Sequence, residues 1–172
     1  MLIAQITDIH LGFEPDRPDE LNRQRLDRTL AVLRAMEPRP ELLLCTGDLI
    51  DRYDRASYRQ LREALAGLPF PYRLALGNHD ARDPFIEVFP EYALADGFLQ
   101  YTLDTPALRI VVLDTLEEGR HGGAFCETRA QWLSARLDEQ PERATLIVLH
   151  HPPMEVGIAW MNTDPREPWV ER

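Results

Sequence analysis

The chain has 172 residues, with 29 acidic and 19 basic side chains and a formal charge of −10. At this length folding removes roughly 70% of the unfolded chain's surface from water, so a core forms without covalent staples. Every basic residue is Arg, which excludes a P-loop lysine, a Schiff-base lysine and a lysine general base, and the acidic balance argues against a face that tracks nucleic-acid phosphates.

The chain alternates short apolar runs with helical patterns. Residues 2–7, 41–46 and 72–76 are strand candidates, each followed by a polar or Gly-containing turn. Leu26, Leu30 and Leu33 fall on one helical face that must end by Pro38. Tyr58, Leu61 and Leu65 repeat that face, with Asp54 as N-cap and Gly67 as stop. Strand, helix, strand, helix, strand in this order predicts a parallel sheet with right-handed crossovers. Residues 98–104 and 108–113 then read as an antiparallel hairpin turning at Thr105-Pro106. A Gly-rich loop at residues 118–123, a helix carrying Trp132, Leu133 and Leu137, and a strand at 144–149 follow. Residues 150–172 hold four prolines and no period, and read as loop.

Cys45 and Cys126 are too few for a disulfide framework or a cysteine zinc site, and Cys45 lies in an apolar run as a small core residue. The first residues lack the charged and apolar regions of a signal peptide, and no apolar run approaches the ~18 residues of a membrane span. The expectation is a cytoplasmic protein with no membrane partner.

The chemistry gathers where strands end. The first strand runs into Asp8-Ile9-His10, the second into Gly47-Asp48, the third into Gly77-Asn78-His79-Asp80, and the last into His150-His151-Pro152-Pro153. Carboxyl ends of strands in an open α/β sheet line one edge, where ligands bind. Each motif alone has a plainer reading, as a cap, a turn or a rigid loop exit. Together they put four of the chain's five His at strand ends, beside two Asp and an Asn. His121, the fifth, reads as solvated, and Asp114 as a turn former.

In this order and spacing, Asp8-x-His10, Gly47-Asp48, Gly77-Asn78-His79-Asp80 and His150-x-Pro152 resemble the calcineurin-like metallophosphoesterase superfamily. The start of the chain and the stretch from His150 through Gly157-Ile158-Ala159-Trp160-Met161 are most similar to its class III branch of cyclic-nucleotide phosphodiesterases and glycerophosphodiesterases. The resemblance implies an α/β two-sheet sandwich flanked by helices, forming one domain over residues 1–172. It also implies two divalent metal ions, Mn or Fe ahead of Zn given the mixed N/O ligands. Asp8 and His10 would hold the first metal, Asp48 would bridge, and Asn78 and His150 would hold the second, with His151 the lesser candidate. His79 would meet the phosphate or protonate the leaving oxygen, and Asp80 would orient its ring. A metal-bridging hydroxide would attack a small phosphodiester in line.

The superfamily pattern continues to a Gly-His-x-His motif, which these 172 residues do not contain. The expectation is therefore a C-terminally incomplete domain whose second sheet lacks strands and offers an association edge, making a homo-oligomer an expected partner. The alternative reading is a non-catalytic metal- or nucleotide-binding module with a degenerate site.

Overall fold

The computed structural model describes residues 1–154 and 156–158. In chain order the elements are β1 (Ile3–Ile6), α1 (Leu21–Ala35), β2 (Leu42–Thr46), α2 (Arg55–Leu65), β3 (Tyr72–Ala75), α3 (Arg82–Val88), β4 (Tyr101–Asp104), β5 (Arg109–Val112), α4 (Glu127–Asp138) and β6 (Thr145–Val148). They build two sheets. One is parallel, in the order β1-β2-β3; the other runs β4-β5-β6, with β4 antiparallel and β6 parallel to β5.

The two-sheet arrangement explains why β2 is an unbroken apolar run rather than an alternating one. All five of its residues are buried, because helices cover one face and the second sheet covers the other. Leu43 and Cys45 pack with Leu26, Leu30, Tyr58, Leu61 and Phe85 from the helices. Leu42 and Leu44 pack instead with Ala75, Ile110, Val112 and Val148, which is the contact between the sheets. The alternation of adjacent side chains thus divides one strand between two cores.

The expected strands are found within a residue of their predicted ends, except that the 98–104 run begins its strand only at Tyr101. Asp54 does cap α2, accepting the Ser57 amide and hydroxyl at 2.8 Å each. The helix stops at Leu65, and Gly67 follows at φ +70°. The 98–104 and 108–113 runs pair as the expected hairpin.

One helix was not legible. Residues 82–88, to which the sequence pattern assigns no element, form α3, and its Phe85 and Val88 are buried with Phe89 just beyond. The Asp83-Pro84 pair within the first turn gives a turn signature, yet Pro is tolerated there because the first-turn amides have no intrahelical acceptor.

The last helix and strand are the least covered. Arg129 is the buried residue of α4, while Trp132, Leu133 and Leu137 are only half-buried. At the sheet edge, Leu146 and Ile147 of β6 are 38% and 40% exposed. Most of the predicted C-terminal loop, including Ala159-Trp160-Met161, lies outside the described residues. No helix among the described residues is long and apolar enough to cross a membrane.

Candidate metal centre

The loops that leave β1 and β2 run side by side. Asp8 donates its amide to Gly47 O at 3.1 Å, His10 to Asp48 O at 3.0 Å, and Leu11 to Leu49 O at 3.2 Å. These contacts continue the parallel pairing past the strands while the backbone turns sharply. Asp8, His10 and Asp48 all take left-handed conformations, at φ +55°, +48° and +49°. Such values are uncommon for non-glycine residues and concentrate at functional sites.

Asp48 is the hub. It is 4% exposed; its Oδ2 faces His10 Nε2 at 3.6 Å and its Oδ1 faces His150 Nε2 at 3.5 Å. Its Oδ1 also accepts the His79 amide at 2.9 Å. Asp8 Oδ1 lies 3.9 Å from His10 Nε2. The ligand atoms converge as two groups, His10 with Asp48 and His79, and Asp8 with Asp48 and His150, each within 4.8 Å. Asp48 belongs to both, as a bridging carboxylate must.

The His150 tautomer follows from its partner. Nδ1 sits 2.9 Å from Thr46 O; a carbonyl only accepts, so Nδ1 carries a proton and Nε2, the nitrogen that faces Asp48, is the one that can take a second proton or a metal. Burial disfavours the charged His150 ring, but the Asp48 carboxylate outweighs it and the pKa is raised. Burial likewise opposes ionisation of Asp48, and the His150 ring with the His79 amide overcomes it, lowering its pKa. His151 points elsewhere. Its Nδ1 meets Thr115 Oγ1 at 2.8 Å, and burial, then the neighbouring His150, pushes its pKa down to about 4. His150, not His151, joins a convergent ligand group, which makes it the ligand candidate of the pair.

One expected contact is rearranged. Asp80, expected to orient the His79 ring, is fully buried and accepts the amides of Gly77, Leu49 and Ile50 at 2.8, 3.1 and 3.4 Å, and the Tyr58 hydroxyl at 3.0 Å. It ties the β2 and β3 loops together beneath the site. Desolvation raises its pKa to about 7 despite those donors. The carboxylate beside the ring is Asp51, whose Oδ1 lies 3.4 Å from His79 Nδ1 and 3.3 Å from His10 Nδ1. Sequence reading passed over Asp51. The available signal was a second carboxylate three residues after Asp48 on the same turn.

Asn78 directs Nδ2 toward His121 Nδ1 at 3.4 Å, and its carbonyl accepts the Tyr53 hydroxyl at 3.3 Å. His121, read from sequence as merely solvated, is exposed but stands at the rim, its ring 6.0 Å from that of His79.

Two glycines let these loops close. A Cβ on Gly47, itself at φ +100°, would lie 2.5 Å from His150 Nδ1. One on Gly77 would run into the Asp48 carboxylate and amide. Gly77→Ala should therefore weaken Mn²⁺ binding by about tenfold or more, and destabilise the chain by about 1–3 kcal/mol. Calorimetric metal titration and urea unfolding check both; parent-like affinity would mean the loops yield.

Residues 1–171 match the family model of calcineurin-like phosphoesterase. The chain is 36% identical over 168 residues to a Rhodopseudomonas palustris protein named probable cyclic nucleotide phosphodiesterase, covering 95% of this chain and 61% of that protein. It is 27% identical to glycerophosphodiester phosphodiesterase GpdQ of Enterobacter lignolyticus, over 94% of this chain and 60% of that one. Against the 3',5'-cyclic adenosine monophosphate phosphodiesterase CpdA of Escherichia coli the figures are 29%, 93% and 58%. The chain thus spans about three fifths of the length of these curated relatives. Among solved structures, a purple acid phosphatase from yellow lupin shares the fold, with a TM-score of 0.62 at 15% identity over 98% of this chain and 34% of that one. The ordered strand-end motifs, the two sheets and the match over nearly every residue make this chain a member of the calcineurin-like phosphoesterase family.

Proposed function

We propose that the chain carries the metal centre of a phosphodiesterase acting on a small phosphodiester, of the cyclic-nucleotide or glycerophosphodiester class. The observation that carries this reading is Asp48, whose two oxygens face separate nitrogen donors and which is common to both convergent ligand groups. The names of the relatives supply the substrate class.

The donor set fits a pair of divalent cations. The motifs assign Asp8, His10 and Asp48 to one and Asp48, Asn78 and His150 to the other, with Asp8 3.9 Å from His10 Nε2, although Asp8 also converges with His150 and His79 with His10. Imidazole and carboxylate together favour Mn, Fe or Zn over Mg or Ca. When bound, such a pair neutralises phosphate charge and acidifies coordinated water toward neutrality. Thr46 fixes the tautomer of His150, while Asp51 Oδ1 lies 3.3 Å from His10 Nδ1 and 3.4 Å from His79 Nδ1. His79 then faces the phosphate or hands a proton to the leaving oxygen. Asp80 acts through the backbone, by fixing the amides of Gly77, Leu49 and Ile50 under the ligand loops. A cytoplasmic location belongs to the same proposal.

A second reading, a metal-binding module without turnover, is favoured by the convergence of His79 with His10 and Asp48. A His79 that ligates metal has no free nitrogen lone pair for proton transfer. The deciding experiment strips the chain with chelator, adds Mn²⁺, and follows metal binding by calorimetry alongside hydrolysis of bis(p-nitrophenyl) phosphate. Metal-dependent diester cleavage is the expected result. Tight binding with no cleavage selects the module, and absence of both overturns the metal centre.

A further inference from the structure

A cavity of about 830 Å³ opens at the start of β3, lined by Leu68, Tyr72, Tyr92, Leu94 and Tyr101. All five are half-buried, which leaves apolar surface against the open space. The cavity lies apart from the metal centre, since Asn78 and His79 follow the other end of the same strand. The four residues of β3 separate the two by about 13 Å of strand rise.

Arg73 stands on the same wall and is half-buried. Other arginines nearby are matched to acids: Arg62 holds Glu91, also at this rim, at 3.1 Å, and Arg55 holds Glu87 at 2.6 Å. Arg73 has no carboxylate partner among the described residues; its Nη1 donates instead to Tyr72 O at 2.8 Å. That bond leaves Nε and Nη2 without a protein acceptor. These two N–H groups form an edge of the guanidinium that grips a carboxylate with two parallel bonds. The chain uses this edge elsewhere, where Arg82 Nε and Nη2 hold Asp114 at 2.8 Å each. Burial raises the pKa of Tyr72, Tyr92 and Tyr101, and the Arg73 charge opposes that rise at all three. The guanidinium therefore stands close enough to act on each of these rings.

We propose that this cavity binds an aromatic monocarboxylate, with its carboxylate on the Nε–Nη2 edge of Arg73 and its ring against the tyrosines. Aromatic rings favour edge-to-face and offset contacts, and Tyr92 already meets Tyr101 in this way, with centroids 5.5 Å apart. A volume of this order suits a ligand larger than a single ring. One guanidinium balances one negative charge, so a dianion would bring an unmatched charge against apolar walls. A peptide strand added along the free edge of β3 fits less well. The Tyr101 hydroxyl already occupies Leu74 O at 2.7 Å, and Arg73 occupies Tyr72 O.

The test uses the full chain and saturation-transfer NMR with 2-naphthoate, 2-naphthamide and decanoate. The amide keeps the shape of the acid and loses its charge. Naphthoate should bind about tenfold more tightly than naphthamide, the gain of a charge-assisted hydrogen-bonded pair. Arg73→Gln should bring naphthoate down to the level of naphthamide and leave naphthamide binding unchanged, which also shows that the variant is folded. The preference should be the same with EDTA as with Mn²⁺. Failure of naphthoate to bind overturns the proposal, as does equal binding of acid and amide or a preference that survives Arg73→Gln. A preference seen only with Mn²⁺ also overturns it, by placing the carboxylate on the cation, and tighter binding of decanoate overturns the aromatic body. Should Arg73→Gln not fold, Arg73→Lys replaces it; that variant keeps the charge without the planar fork and should lose most of the preference.

Discussion

Asp48→Asn should lower metal-dependent diester hydrolysis by about 10³-fold, equivalent to about 4 kcal/mol of transition-state stabilisation. The substitution preserves volume and one carbonyl oxygen, so the acceptor for the His79 amide can remain at the 2.9 Å contact. What it removes is the negative charge shared between His10 and His150. A neutral amide presents only one oxygen, so it cannot face both donor sets as a ligand. Mn²⁺ titration should show affinity weakened for both ions together, rather than for one of them. Circular dichroism should stay at the parent spectrum, which separates loss of chemistry from loss of fold. An Asp48→Asn protein that still binds two Mn²⁺ with parent affinity would remove Asp48 from its bridging position.

The largest effect on stability should come from Asp114→Ala, about 3–5 kcal/mol. Asp114 has no solvent exposure. It receives the Arg82 guanidinium as a two-pronged pair, Nε and Nη2 each at 2.8 Å, and accepts the Leu99 and Leu116 amides at 2.8 and 2.9 Å. Arg129 reaches the Asp114 carbonyl at 3.1 Å and lies over the Phe98 ring at 4.5 Å. One carboxylate thus joins the start of α3, the turn before β4, and the loop after β5. Deleting it leaves a half-buried guanidinium and two buried amides without an acceptor, and those uncompensated groups set the cost. Urea unfolding of Asp114→Ala, Arg82→Met and the double variant gives the coupling directly. If Asp114→Ala loses less than about 1 kcal/mol, the pair is solvated and the network is not structural.

These contacts show where sequence reading succeeds and stops. The faces of α1 and α2 were legible because burial imposes a local period on apolar residues, and β1, β2 and β3 because short apolar runs are each closed by a polar or Gly-containing turn. The gathering of Asp8, His10 and Asp48 follows from topology, since the parallel neighbours β1 and β2 end along one edge, whereas His150 follows β6 of the other sheet and meets them because the two sheets pack face to face. Asp114 was read as a turn former, and its acceptance of the Leu116 amide two residues on is indeed local turn chemistry. Its pairing with Arg82, 32 residues away, leaves no periodic trace. The same holds for His121 beside Asn78, which are 43 residues apart. Asp80 and Asp51 mark a finer limit. Both follow ligand motifs closely, and only the course of the loop decides which carboxylate turns toward His79 and which turns under the backbone.

The left-handed backbone at Asp8 sets fold and chemistry at odds. Glycine takes up φ +55° freely, whereas aspartate holds it at a conformational cost. The Asp8 side chain is 54% exposed, so glycine there would empty no core. An aspartate codon becomes a glycine codon by a single base change, and that change relaxes the chain while it deletes a proposed ligand. Selection for stability alone would therefore drift toward a well-folded protein that has lost its metal. A screen scored on expression or melting would pass that variant, and only an assay of metal or turnover would catch it.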